Sequence, residues 1–247
     1  MGKSRTFNIK NQYGLTLDGV NEYIDYGNIL AYERTQALSF SCWVTPISLA
    51  SPIFLLVKRT TAAGQRGWQF VISSLGNGCS FFNTVTTNGL NVRGVTALTT
   101  GTLYHLCITY DGSSTPAGIK VFINNVEDVG YTTVQNNLSA TIITSVNLKS
   151  GNWSTVYGNA MIDEMVLYES VLSTAERTEL YNLCYPINLK AHPLQGGKVP
   201  VFYHRFGDAP DYHDGTNWQL TDRSGNGYSG VSVNMEAADR TKGAGIV

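Results

Sequence analysis

Charge is scarce in this sequence. Of its 247 residues only 14% are Asp, Glu, Lys or Arg, and the formal net charge is −1. No Lys/Arg-rich run offers to neutralise phosphates, so no nucleic-acid partner is expected. Long apolar runs are missing as well. Nothing approaches the roughly 18 residues that would span a bilayer, and the opening MGKSRTFNIKNQYG lacks the apolar centre of an export signal. The expectation is a chain with neither a membrane span nor Sec-type export. The four cysteines, Cys42, Cys79, Cys107 and Cys184, include no CxxC pair, which argues against zinc and for small buried strand residues in a reducing compartment. G-x-S-x-G, H-E-x-x-H and G-x-x-x-x-G-K-[ST] are all absent, so nucleophilic, zincin and P-loop chemistry have no sequence support.

Gly, Thr, Asn, Ser, Tyr and Val are plentiful, while the Ala/Glu/Lys/Leu tracts of helical proteins are not. From Leu15 the chain reads as short strands separated by turn residues, among them ALSFSCWVTP, GWQFVISS, LYHLCITYDG, GIKVFINNVED and MIDEMVLYE. Strands of this length, rich in β-branched and aromatic residues, predict an antiparallel sandwich or barrel. One helix is predicted after Leu172. Ser173 and Glu176 form S-x-x-E, a capping box in which each side chain satisfies an exposed N–H of the first turn. Its apolar positions Ala175, Leu180 and Leu183 are few, which suits a helix lying across a sandwich edge to about residue 183. Beyond Tyr185, PINLKAHPLQGGKVP holds three of the seven prolines and reads as a linker or long crossing loop. Residues 1–187 and 188–247 are accordingly read as a sandwich and a C-terminal extension, the latter supplying edge strands or a docking arm.

Four motifs in order carry a resemblance. LDGVNEYIDYG, ALSFSCWVTP, LYHLCITYDG followed by IKVFINNVED, and IDEMVLYESVLSTAERTELY together resemble the laminin-G-like, concanavalin A-like jelly-roll superfamily over about residues 15–183. The resemblance implies an all-β antiparallel jelly-roll sandwich with one short edge helix. His105-Leu106-Cys107-Ile108-Thr109-Tyr110 further resembles a pentraxin element whose cysteine bridges back to a strand matching Cys42. That likeness implies that Cys42 and Cys107 lie on neighbouring strands within disulfide reach. Pentraxin calcium ligands do not carry over, because no matching acidic loop follows INNVED. The stretch VFYHRFGD with WQLTDRSGNGYSGVSVNM is similar to a segment found beside jelly rolls in structural proteins of tailed-phage particles. It implies a virion protein, made in the host cytoplasm, that docks on other virion proteins or on copies of itself.

The carboxylate pair Asp163–Glu164 raises a glycosidase question. Enzymes of this fold place two glutamates on one strand face as E-x-D-x-E, yet here the flanking positions are Met161 and Met165. Strand alternation sends Glu164 to the face opposite Asp163, and Asp163 is expected to accept backbone or tyrosine hydrogen bonds near a loop. The chain is therefore read as a non-enzyme with no organic cofactor. In GDAPDYHDG, Asp208, Asp211, His213 and Asp214 offer oxygen-rich ligands of the kind Ca²⁺ prefers, with a solvated acidic loop as the alternative. Trp153, Tyr157, Tyr212 and Trp218 are the candidate aromatic platforms for a surface glycan, and equally candidates for core or interface packing. A Ca²⁺-dependent carbohydrate-binding module is the competing functional class.

Overall fold

The computed structural model describes residues 13–61, 64–85, 87–182, 189, 193–194 and 196–242. In chain order its strands begin with β1 (Tyr13–Asp18), β2 (Tyr23–Asp25), β3 (Leu38–Ser48), β4 (Ile53–Arg59), β5 (Gly67–Ile72), β6 (Gly78–Val85) and β7 (Asn88–Arg93). Then come β8 (Tyr104–Tyr110), β9 (Ile119–Ile123), β10 (Val126–Glu127), β11 (Thr132–Asn136), β12 (Lys149–Ser150), β13 (Asn152–Trp153), β14 (Val156–Tyr157) and β15 (Asn159–Tyr168). After the helix α1 (Thr174–Asn182) follow β16 (Phe202–His204), β17 (Tyr212–His213), β18 (Trp218–Leu220), β19 (Gly230–Val233) and β20 (Arg240–Lys242).

Two antiparallel sheets face each other, the all-β jelly-roll sandwich that the motifs imply. The first runs β10-β9-β8-β3-β15-β1-β20, with β16 also paired to β15. The second runs β11-β7-β6-β5-β4-β12-β2-β19-β18-β17. Alternation along each strand decides what enters the space between them. On β1, Leu15 and Leu17 are fully buried, while Thr16 turns outward and its hydroxyl meets that of Thr241 at 2.7 Å. Phe40, Cys42 and Val44 of β3 join Trp68, Phe70 and Ile72 of β5 in one apolar cluster. Phe40 and Phe70 stack across the interface with ring centroids 4.9 Å apart.

The helix begins as its sequence demands. Ser173 N–H donates to Glu176 Oε2 at 2.6 Å, and Glu176 N–H donates to Ser173 Oγ at 3.3 Å. α1 covers the outer face of the first sheet, where Leu180 clusters with Val166, Tyr168 and Leu172, and Tyr181 stacks on Trp43. Leu183 and most of the predicted linker lie outside the described residues, as do residues 243–247. Among the described residues, no helix is long and apolar enough to cross a membrane.

Residues beyond 188 are woven into both sheets: β16 pairs with β15, β19 with β2 and β20 with β1. β15 changes neighbours along its length, lying against β1 at residues 159–162 and against β16 at residues 165–167.

The stacked Phe40–Phe70 pair yields a stability prediction. Phe40→Ala should destabilise the protein by about 3–5 kcal/mol through lost transfer energy and an unfilled cavity, measured as a lower urea midpoint at unchanged slope.

Candidate ligand-binding site

Strand register sets what the outer face of the second sheet presents. Lys149 on β12 stands opposite both Asp25 on β2 and Val57 on β4, and Val57 stands opposite Gln69 on β5. Directly opposed residues share a face, so these four side chains leave the sheet together, and Arg59, two residues past Val57, joins them. The next residues in line, Ile24 and Phe70, enter the core instead.

The β13–β14 hairpin folds back over this face, laying Trp153 and Val156 on Phe54, Val57 and Val71. Gly158 allows the approach, since a Cβ there would stand 2.8 Å from Ile53 Cα. The Arg59 guanidinium lies 4.2 Å from the Trp153 ring centroid, a cation–π contact that covers part of the ring. Arg59 Nε donates to Gln65 O at 3.1 Å and Nη1 to Gln69 Oε1 at 3.3 Å, and Nη2 also donates to Gln65 Oε1. Burial lowers its pKa to about 10, which leaves it charged at neutral pH.

Beside this arrangement Lys149 Nζ sits 4.4 Å from the Tyr23 ring centroid. Asp25 accepts hydrogen bonds from Asn147 Nδ2 at 2.9 and 3.1 Å and from Gly27 N–H at 2.8 Å. Together Asp25, Arg59, Asn147, Lys149, Asn152 and Trp153 line a cleft of about 550 Å³, a volume suited to a small-molecule ligand. Asn152 is buried, and its Oδ1 has no hydrogen-bond donor. Such an oxygen is destabilising by about 1–3 kcal/mol, which a ligand hydroxyl reaching it would relieve.

Of the aromatic candidates, the structure therefore brings Trp153 to the cleft, and Tyr157 stands opposite Asn152 in the same hairpin. Tyr212 and Trp218 lie elsewhere, β18 being three strands from β12. Tyr212 is 59% exposed, but Trp218 is a core residue whose Nε1 donates to Glu236 O at 2.9 Å. Of the two readings of Trp218, platform and packing, the structure has packing. Asp25, Arg59, Asn147 and Lys149 were not singled out in the sequence; position parity within YIDYG and LLVKR could have put Asp25 and Arg59 on an outer face, but not beside each other.

Asp163 behaves as expected and Glu164 does not. Asp163 is 2% exposed, and its Oδ1 accepts the N–H of Glu164 at 2.7 Å and of Phe206 at 3.2 Å. A bulge interrupts the register with β3 between Asp163 and Val166, and Glu164 takes a left-handed φ of 46°. Alternation fails there, so both carboxylates meet the segment from Tyr203 to Asp208 rather than opposite faces. Glu164 accepts the Tyr203 hydroxyl at 2.6 Å and Arg205 Nε at 3.0 Å, and Arg205 Nη2 donates to Asp208 at 2.7 Å. Burial raises the pKa of both acids, and the neighbouring Glu164 raises that of Asp163 further.

The acidic loop is likewise engaged with its own backbone. Asp208 pairs with Arg205, Asp211 accepts the N–H groups of Thr221 and Gly207, and Asp214 accepts those of Thr216 and Asn217. His213 Nε2 lies 3.2 Å from Met235 O. Among the described residues no three His, Cys, Asp or Glu side chains converge as a cation would require. Of the two readings of Asp208, Asp211 and Asp214, these hydrogen bonds favour the acidic loop over the metal ligands.

Cys42 and Cys107 lie on neighbouring strands as expected, but not in facing register. Cys42 stands opposite Leu106, whereas Cys107 stands opposite Ser41. They occupy neighbouring strands one residue out of step, so Cys42 enters the core and Cys107 leaves by the other face. Both thiols are free, and burial pushes their pKa up, that of Cys107 to about 12. A bridge needs Cβ atoms that face each other, which this register denies. The Cys79 side chain and Cys184 lie outside the described residues.

The fold and the cleft define a lectin-type jelly-roll sandwich with its candidate site on the exposed face of one sheet. The chain belongs to the concanavalin A-like lectin/glucanases superfamily, whose profile matches residues 18–176. Solved structures share the fold at low identity. A Bacteroides ovatus protein proposed to bind carbohydrate is 13% identical, with a TM-score of 0.61 over 93% of this chain, which spans 59% of that protein's length. The native heptameric SAP-like pentraxin of Limulus polyphemus is 12% identical, with a TM-score of 0.50 over 70% of this chain and 82% of its own. The CBM40 of the Ruminococcus gnavus IT-sialidase, bound to α2,3-sialyllactose, is 15% identical, with a TM-score of 0.50 over 69% of this chain and 96% of its own. No curated protein matches the sequence.

The acidic loop gives a pH prediction. Burial, partly offset by hydrogen bonds from Thr221 and Gly207, raises the Asp211 pKa from 3.8 to about 6. The folded state thus keeps a proton that the unfolded chain releases, and this contribution to stability is present below 3.8 and lost as pH rises through about 6. Asp211→Asn should flatten the stability profile across that window, read from urea midpoints at several pH values.

Proposed function

We propose that this protein is a non-catalytic glycan-binding module whose site is the cleft between the β13–β14 hairpin and the outer face of β2, β12 and β4. The observation that carries the reading is the cleft itself. An aromatic ring, two cations, the Asp25 carboxylate, the Asn147 amide and a half-satisfied Asn152 converge on about 550 Å³ of open space. Apolar surface with a few fixed polar groups is the general chemistry of sugar recognition. The carbohydrate-binding neighbours from Bacteroides ovatus and Ruminococcus gnavus support it. Glu164, held by Arg205 and Tyr203, and buried Asp163, held by backbone N–H groups, support the absence of hydrolysis. Calcium is not part of the proposed site, because the carboxylate there, Asp25, is already engaged by Asn147 and Gly27.

A virion role is the second part of the reading, and the observation in its favour is the C-terminal segment with its phage-like SGNG and VNM elements. Display on a particle would present the cleft to a host surface, with docking to other virion proteins or further copies through faces such as that of Tyr212.

Two measurements check these statements. On a glycan array, binding should persist in a chelator and fall about ten-fold or more in Trp153→Ala, while Trp218→Ala should show instead as a lowered melting temperature. In mass spectrometry of purified particles, the chain should appear as a stoichiometric component; its absence would remove the virion reading and leave the glycan one.

A further inference from the structure

The same cleft carries information about its ligand's charge, an inference that rests on the glycan reading above. Arg59 and Lys149 line it together with Asp25. Their environments differ in kind. Asp25 has its negative charge engaged inside the protein, both carboxylate oxygens by Asn147 Nδ2 and one also by Gly27 N–H. Lys149 forms no ion pair among the described residues, and its ammonium rests over the Tyr23 ring, whose face is a weak partner that leaves donor hydrogens for another acceptor. Arg59 is oriented by hydrogen bonds to Gln65 and Gln69 and by the Trp153 ring. The cleft therefore presents two positive charges to one negative, in a chain whose overall net charge is −1.

We infer that the ligand is an acidic saccharide, bearing a carboxylate or a sulfate that Lys149 receives at the β2–β12 side of the cleft. Register supports the placement. Lys149 is flanked on its own face by Asp25 and Val57, and its ammonium turns toward Tyr23 on the β2 side. A neutral sugar offers that ammonium only hydroxyl oxygens, whereas an anionic group meets it with a hydrogen bond between opposite charges, shorter and stronger than one to a neutral acceptor. Arg59 acts as a positioning residue, steadying Trp153 while contributing to the positive field.

The test is an array on which neutral, carboxylated and sulfated glycans are printed side by side, among them lactose with sialyllactose and a galactan with its sulfated form. It is probed with wild type, Lys149→Gln and Lys149→Arg. Charged members should exceed their neutral partners by roughly ten-fold, and the margin should shrink as salt rises. Lys149→Gln should collapse the margin and Lys149→Arg restore it, all three proteins melting alike. The sialylated and sulfated arms decide which anion is preferred. Neutral and charged glycans bound equally would overturn this inference and leave the glycan reading standing. A margin unchanged in Lys149→Gln would also overturn it, by moving the anion elsewhere on the surface. Silence across the whole array would overturn both.

Discussion

The bulge at Glu164 is the constraint around which the sandwich is arranged. Before it, β15 lies between β3 and β1; after it, between β3 and β16. A strand that exchanges one neighbour for another leaves backbone groups at the seam to be satisfied, and buried ones cannot go without partners. Asp163 supplies an acceptor to its own successor and to Phe206 on the incoming segment. Glu164, in a left-handed conformation, turns its carboxylate to Tyr203 and Arg205 of the same segment. These are desolvated charges, so removing a single partner is more damaging than the pair's net contribution suggests. The acidic pair that resembles hydrolase machinery in the sequence is the joint between the sandwich and its C-terminal strands.

A third carboxylate completes that joint. Asp222 accepts the N–H groups of Tyr203, Ser224, Asn226 and Tyr228 and the Ser224 hydroxyl. Burial works against its charge, but the bonds from Ser224 and Tyr228 hold its pKa below the ordinary value. The loop DRSGNGYSG is thereby folded around one side chain and tied to β16. Its glycines belong to that architecture, with Gly225 at a φ of 88° and Gly227 at 79°. The segment consequently reads as a structural device that presents β16 to β15 and β19 to β2.

What was legible in the sequence followed locality. The short strands in ALSFSCWVTP and LYHLCITYDG and the Ser173–Glu176 cap depend on residues within a few positions of one another, and patterns of that span can be read directly. The cleft was only half visible. Trp153 and Tyr157 attract notice as aromatics, but Asp25, Arg59 and Lys149 meet because β2, β4 and β12 are adjacent in a strand order that local patterns do not encode. The misreadings share a cause. One extra residue in β15 reversed the face of Glu164, and one residue of register separated Cys42 from Cys107. Composition around Trp218 could not distinguish an exposed ring from one that closes the core between β17 and β19.

The placement of β1 has a consequence for how the chain reaches this state. Its partners are β15 and β20, so Leu15 waits for Ile162 on one side and Arg240 on the other. During synthesis at roughly 5–20 residues per second, the first strand remains without its neighbours for on the order of ten seconds. Contacts this distant along the chain also make closure slow once every residue is available. The opening strand is therefore the piece most exposed to pairing with the wrong edge, and the polar Thr16 and Asp18 on its outer positions are the features that discourage it.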